Sequence, residues 1–173
     1  MIRTALLVVA LLFALGNTVG YAATVTYQAN DLGAGRWEYL YSVINTTLPS
    51  VDEFTVYFEY GLYANLAIDN PKPNWDGLVL NPDLLLGAPV SGIYDALALV
   101  SGIPQGSSEG GFRVSFDWVG TGMPGAQYFE VVNPTTYEVL ASGTTTAVPL
   151  PGALLLLGSG LVTLIGLKKQ RKS

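Results

Sequence analysis

Apolar and polar side chains alternate along much of the chain between residues 24 and 140. From Arg36 to Asn45, Trp37, Tyr39, Tyr41 and Val43 fall on one face, and Glu38, Leu40, Ser42 and Ile44 on the other. Across 53–60, Phe54, Val56 and Phe58 oppose Thr55, Tyr57 and Glu59. Phe112, Val114, Phe116 and Trp118 form the clearest set, interleaved with Arg113, Ser115 and Asp117. Successive side chains of a strand point to opposite faces, so each pattern predicts a strand with one buried face. Shorter runs at 24–28, 62–67, 78–80, 127–132 and 137–140 predict further strands, and 93–100 fits a strand or a single helical turn. Turn formers separate the runs: Asp31-Leu32-Gly33, Asn45 to Pro49, Asp69-Asn70-Pro71, Asn81-Pro82-Asp83, Gly106 to Gly111 and Asn133-Pro134. No stretch of this body carries a sustained 3.6-residue apolar stripe. Short strands at even spacing predict an all-β fold, an antiparallel β-sandwich of jelly-roll or immunoglobulin-like type, with a closed barrel as the alternative.

The two ends break this pattern. Arg3 is followed by an apolar run over 5–15, a break at Gly16-Asn17, and the small-x-small step Gly20-Tyr21-Ala22. That order predicts a secretory signal peptide over 1–22, cleaved after Ala22. At the other end, Val148-Pro149-Leu150-Pro151 precedes an uncharged stretch over 152–167, then Lys168, Lys169, Gln170, Arg171, Lys172 and Ser173. As a helix, 152–167 would be about 24 Å long, and snorkelling lysine and arginine stems would extend it towards a 30 Å hydrocarbon core. Lys168, Lys169, Arg171 and Lys172 beside a transmembrane helix predict a cytoplasmic C-terminus and retention in the membrane. The body is then 23–140, followed by the small, polar 141–147, which reads as a flexible linker before a sorting segment at 148–173.

This C-terminal segment resembles the PEP-CTERM sorting signal of exopolysaccharide-producing Gram-negative bacteria. The proline motif Val148-Pro149-Leu150-Pro151, the apolar stretch with its Ser159-Gly160-Leu161 step, and the basic tail follow that family's three-part order. Leu150 stands where the family's glutamate would be, and the Pro-Leu-Pro form looks like a variant of the signal. The resemblance implies an exosortase-type membrane enzyme as partner, recognition at Pro149 and Pro151, processing within 148–151, and delivery to the cell surface or extracellular matrix. It implies delivery and not a ligand, because the family's bodies are diverse.

Charge sharpens the picture. All 13 acidic residues lie in the body, against only Arg36, Lys72 and Arg113, so the body carries ten net negative charges while the whole chain carries five. Nucleic acid is therefore not an expected partner, since phosphate binding needs a basic surface. The chain has no Cys and no His. That excludes disulfides, thiolate or imidazole zinc sites, and Ser-His-Asp or Cys-His nucleophile systems. Carboxylates remain, but no activated nucleophile is legible, and the expected reading is non-catalytic with no cofactor.

Two features invite a ligand. Asp69, Asn70, Asn74 and Asp76 supply oxygen donors of the kind that suit a structural calcium ion, although their spacing matches no known loop pattern and Asx residues are ordinary turn formers. Tyr39, Tyr41, Tyr57, Trp75 and Tyr94 could stack on sugars, and equally could pack a half-buried sheet. The expected function is an exported structural or adhesive protein of the cell surface or matrix. The alternative is a carbohydrate-binding module for exopolysaccharide, marked by two or three exposed aromatics on one sheet face. Asn45-Thr46-Thr47 matches a glycosylation sequon by chance.

Overall fold

The computed structural model describes residues 22–148. The signal peptide before Ala22, the motif residues Pro149, Leu150 and Pro151, the transmembrane stretch 152–167 and the basic tail lie outside the described residues. Among those that are described, no helix is long and apolar enough to cross a membrane.

The described residues form fourteen strands, in order: β1 (Ala23–Gly33), β2 (Arg36–Asn45), β3 (Ser50–Val51), β4 (Glu53–Phe58), β5 (Tyr63–Ala67), β6 (Trp75–Leu80), β7 (Asp83–Leu85), β8 (Ala88–Val90), β9 (Gly92–Ala98), β10 (Ile103–Pro104), β11 (Ser108–Trp118), β12 (Tyr128–Val132), β13 (Val139–Thr144) and β14 (Thr146–Ala147). Two five-stranded sheets carry the fold. Sheet I has the order β14-β1-β2-β11-β5, and sheet II the order β13-β12-β4-β9-β6. Every pairing within them is antiparallel except β1 with β14. Residues 93–100, open between strand and helical turn in the sequence, begin in β9.

The alternating residues do what their pattern predicts. Tyr39, Tyr41 and Val43 of β2 are fully buried, as are Phe54, Val56 and Phe58 of β4 and Phe112, Val114 and Phe116 of β11. Rings from the two sheets meet between them. Phe54 of sheet II stands edge-on to Phe112 of sheet I at 4.9 Å, and Tyr39 of sheet I lies 6.4 Å from Phe58 of sheet II. Each fully buried ring removes about 150–250 Å² from water, worth roughly 4–6 kcal/mol before the entropy of ordering is subtracted. In β11 a bulge falls between Gly110 and Phe112. Gly111 there has a φ of +92°, a conformation that a side chain resists.

The expected linker at 141–147 is corrected. Residues 139–144 form β13 on the edge of sheet II, and 146–147 form β14 on the edge of sheet I. The chain changes sheets at Thr145, which is 2% exposed. Its N–H donates to the Gln127 carbonyl at 2.7 Å, and the Gln127 N–H donates to its hydroxyl at 2.9 Å. Composition misled here because an edge strand buries little, so small polar residues serve as well as apolar ones. β1 opens at Ala23.

Candidate functional site

Tyr57 and Glu53 of β4 stand half-buried on the outer face of sheet II, with the buried Thr55 between them, because the intervening Phe54, Val56 and Phe58 point inward. The register of β12 on β4 aligns Glu130 with Thr55 and brings Tyr128 beside Tyr57. The two rings lie 5.5 Å apart at 42°. Both hydroxyls donate to one carboxylate: Tyr57 to Glu130 Oε2 at 2.7 Å, and Tyr128 to Glu130 Oε1 at 2.9 Å. One carboxylate thus fixes two neighbouring rings. Burial, then the Glu130 bond, raises the Tyr57 hydroxyl well above the usual tyrosine range, so it stays a proton donor at neutral pH.

Thr55 continues the polar row, donating to Asp95 Oδ1 at 2.6 Å. Burial raises Asp95, the Thr55 bond partly offsets this, and Asp76 adds to it. Glu53 is raised by burial and then by Asp95. The three cations among the described residues are engaged elsewhere: Arg36 with Asp117 at 3.0 Å, Lys72 with Glu109 at 2.9 Å and Arg113 with Glu38 at 2.9 Å. Sheet I therefore has a neutralised outer face, with Arg36 also bonded to the Asn65 carbonyl and the Ser115 hydroxyl. Sheet II keeps an uncompensated acidic one.

Next to the tyrosines lies a cleft of about 470 Å³. Tyr57, Glu59, Leu62, Trp118, Gln127 and Tyr128 are among the residues that line it. Its floor is braced from the core. The two hydrogens of the Gln127 amide are shared among the Tyr39 hydroxyl at 2.6 Å, the Tyr63 hydroxyl at 3.2 Å and the Gly125 carbonyl. Its oxygen accepts from Tyr41 at 3.0 Å and from Thr145 at 3.3 Å. The loop that leads into β12 and Tyr128 is thereby tied to sheet I and to the crossing at Thr145. A second groove, of about 540 Å³, runs beside β13 and β14. Threonine, alanine and glycine line most of it, and its one aromatic, Phe129, is itself core.

The aromatics singled out in the sequence divide sharply. Tyr39, Tyr41, Tyr94 and Trp75 are core residues, between 0% and 6% exposed. Only Tyr57 reaches the candidate surface. Tyr128 and Trp118 were not singled out as ligand contacts, although Tyr128 alternates with the inward Phe129 and Val131 and so faces outward by the same rule that buried the others. The calcium candidates are also separated. Asp69 accepts from Ser115 on the outer side of sheet I, whereas Asp76 lies beside Asp95 on sheet II. Asn70 and Asn74 stay exposed in the loop between. Among the described residues no group of three His, Cys, Asp or Glu side chains is placed to hold a metal ion. The sequon residue Asn45 is buried, its amide donating to the Leu48 and Ile103 carbonyls and its oxygen accepting from the Leu48 N–H.

No protein-family model matches the chain, and no curated protein matches it in sequence. Solved structures with similar strand arrangements include a family 3b carbohydrate-binding module from the biomass sensoring system of Clostridium clariflavum. It is 12% identical with a TM-score of 0.38, and the match covers 57% of this chain and 72% of that one. Another is a GH20 exo-beta-N-acetylglucosaminidase from Vibrio harveyi, 7% identical with a TM-score of 0.40, covering 74% of this chain. This chain spans 18% of that enzyme's length. Likeness of this degree says nothing about a ligand, so function rests on the site itself.

Proposed function

We propose that this chain is an exported, non-catalytic adhesive protein of the cell surface or matrix, and that it adheres by holding neutral polysaccharide against Tyr57, Tyr128 and the adjoining cleft. The carrying observation is the tyrosine pair fixed on Glu130. Rings held in place offer a sugar an apolar face without paying to order themselves, and the Glu130 and Glu59 oxygens beside them can bond hydroxyl groups. Neutral polymers fit best, because the face is acidic and each cation of the described body is already paired. The nested strand order supports a jelly-roll reading over an immunoglobulin-like one: β2 pairs with β11 outside the β4–β9 pairing, and both outer partners lie in sheet I.

Delivery in this reading follows the tail. A signal peptide cleaved after Ala22 exports the chain, the 152–167 span anchors it in the inner membrane, and an exosortase-type enzyme processes it within 148–151. Mass spectrometry of the surface fraction is expected to find a chain starting at Ala23 and ending within 148–151. A surface form that keeps Lys168 to Lys172 would contradict the processing step. For binding, pull-down on insoluble neutral polysaccharides is expected to retain the protein and to lose it on Tyr128→Ala. A stack of this kind is worth about 0.5–1.5 kcal/mol, a two- to twelvefold loss of affinity. Equal retention of the variant would contradict the site.

A further inference from the structure

The strand directions place one end of the sandwich at the chain's exit. β14 runs parallel to β1, and the Val148 N–H still donates to the Tyr27 carbonyl at 2.8 Å. The chain therefore leaves toward the β1–β2 turn at Gly33 to Gly35. Register brings three other connections to that end. Arg36 pairs with Asp117 and Tyr63 with Trp118, which places the 119–127 loop there. Phe58 pairs with Gly92 and Leu80 with Ile93, which places the β7–β8 hairpin and the 59–62 loop there as well.

The opposite end exposes Leu99, Val100 and Tyr137, and this end exposes three consecutive leucines on one hairpin. Leu84, Leu85 and Leu86 form the hairpin tip at 50%, 65% and 100% exposure, and every residue of β7 and β8 is exposed. Leu32 at 55%, Val119 at 62% and Met123 at 72% stand on the neighbouring turns. Three consecutive leucines on an exposed turn have no role in the core and are costly in water.

The tether says what covers them. Only residues 149–151 separate Val148 from the uncharged stretch at 152. Three extended residues reach about 10 Å. The headgroup layer on each side of the hydrocarbon core is roughly 5–8 Å deep. An anchored body has no slack to stand clear of the lipid.

We propose that, while the chain is anchored, this end lies on the bilayer surface with the Leu84–Leu86 tip inserted at the headgroup boundary. The inference rests on the reading of 152–167 as a span. Glu59, Trp118 and Tyr128 of the cleft belong to the same end, so anchoring holds the cleft at the lipid and release presents it outward. The carboxylates there, Asp31, Glu59 and Asp83, favour a zwitterionic surface over an anionic one.

The test uses the full chain in phosphatidylcholine vesicles. The natural sequence has no cysteine, so Leu85→Cys, Met123→Cys, Val100→Cys and Tyr137→Cys each give one labelling site. Val100 and Tyr137 sit at the opposite end, 80% and 79% exposed. With quencher-bearing lipids, fluorophores at 85 and 123 are expected to lose at least half their emission while those at 100 and 137 keep theirs. Equal quenching at both ends, in a chain that floats with the vesicles after alkaline washing, would overturn the seating and leave the anchor standing. A chain that does not float would overturn both. Shielding of position 85 without lipid quenching would overturn the seating in favour of a second copy at the hairpin.

Discussion

Gln127 is 4% exposed, and both ends of its amide are in use. It joins Tyr39, Tyr41, Tyr63 and Thr145 into one buried network in which no described side-chain polar atom is left without a partner. Gln127→Leu is expected to cost about 1–3 kcal/mol for each polar group it orphans, read from denaturant melts. The same variant is expected to weaken ligand binding, since the loop carrying Tyr128 loses its brace. Asp95 behaves in the opposite sense. Its carboxyl is raised by burial, so its contribution to stability is present below the ordinary carboxylate range and is lost as pH rises through the raised value. Asp95→Asn keeps an acceptor for Thr55 and is expected to raise the melting temperature at pH 7 while changing it little at pH 3. A variant that melts lower at pH 7 would contradict the burial of that charge. Neither role was legible in the sequence. Periodicity shows which way a side chain points, and it does not show which polar group from another strand will meet it.

Strands with one buried face were legible. β2, β4 and β11 each carry a run of alternating apolar residues, and Tyr39, Tyr41, Val43, Phe54, Val56, Phe58, Phe112, Val114 and Phe116 of those runs are core. Of β13 only the start was legible, in the strand expected at 137–140; its continuation over 141–144 and β14 were not, because neither buries a face and their burial patterns are mostly exposed. What orders them is the backbone ladder and the crossing at Thr145, neither of which leaves a compositional trace. A linker and a strand differ in hydrogen exchange. The amides of Thr145 and Val148 donate within the fold at 2.7 and 2.8 Å, so they are expected to exchange far more slowly than unstructured amides. Exchange at the random-coil rate would restore the linker reading. The β7–β8 hairpin was missed for a related reason: Leu84-Leu85-Leu86 has no alternation, and apolar residues that face solvent contradict the rule by which strands are found.

At the scale of the molecule, charge and oil are sorted by face. Sheet I pairs its cations with carboxylates, sheet II gives Glu130 and Asp95 only neutral hydroxyl partners, and the end near Val148 gathers exposed leucines. The class of fold and the acidity of the body were legible from alternation and counting. The choice of aromatics was not, because Tyr39, Tyr41, Tyr94 and Trp75 are as aromatic as Tyr57 and Tyr128, and only register and layer separate core from surface. The site is tested most directly by nuclear magnetic resonance of the protein titrated with neutral cello- and chito-oligosaccharides. The ring signals of Tyr57 and Tyr128 and the indole N–H of Trp118 are expected to shift saturably, while that of the buried Trp75 stays in place. Saturable binding that moves only residues elsewhere, or no binding by any neutral oligosaccharide, would contradict the assignment.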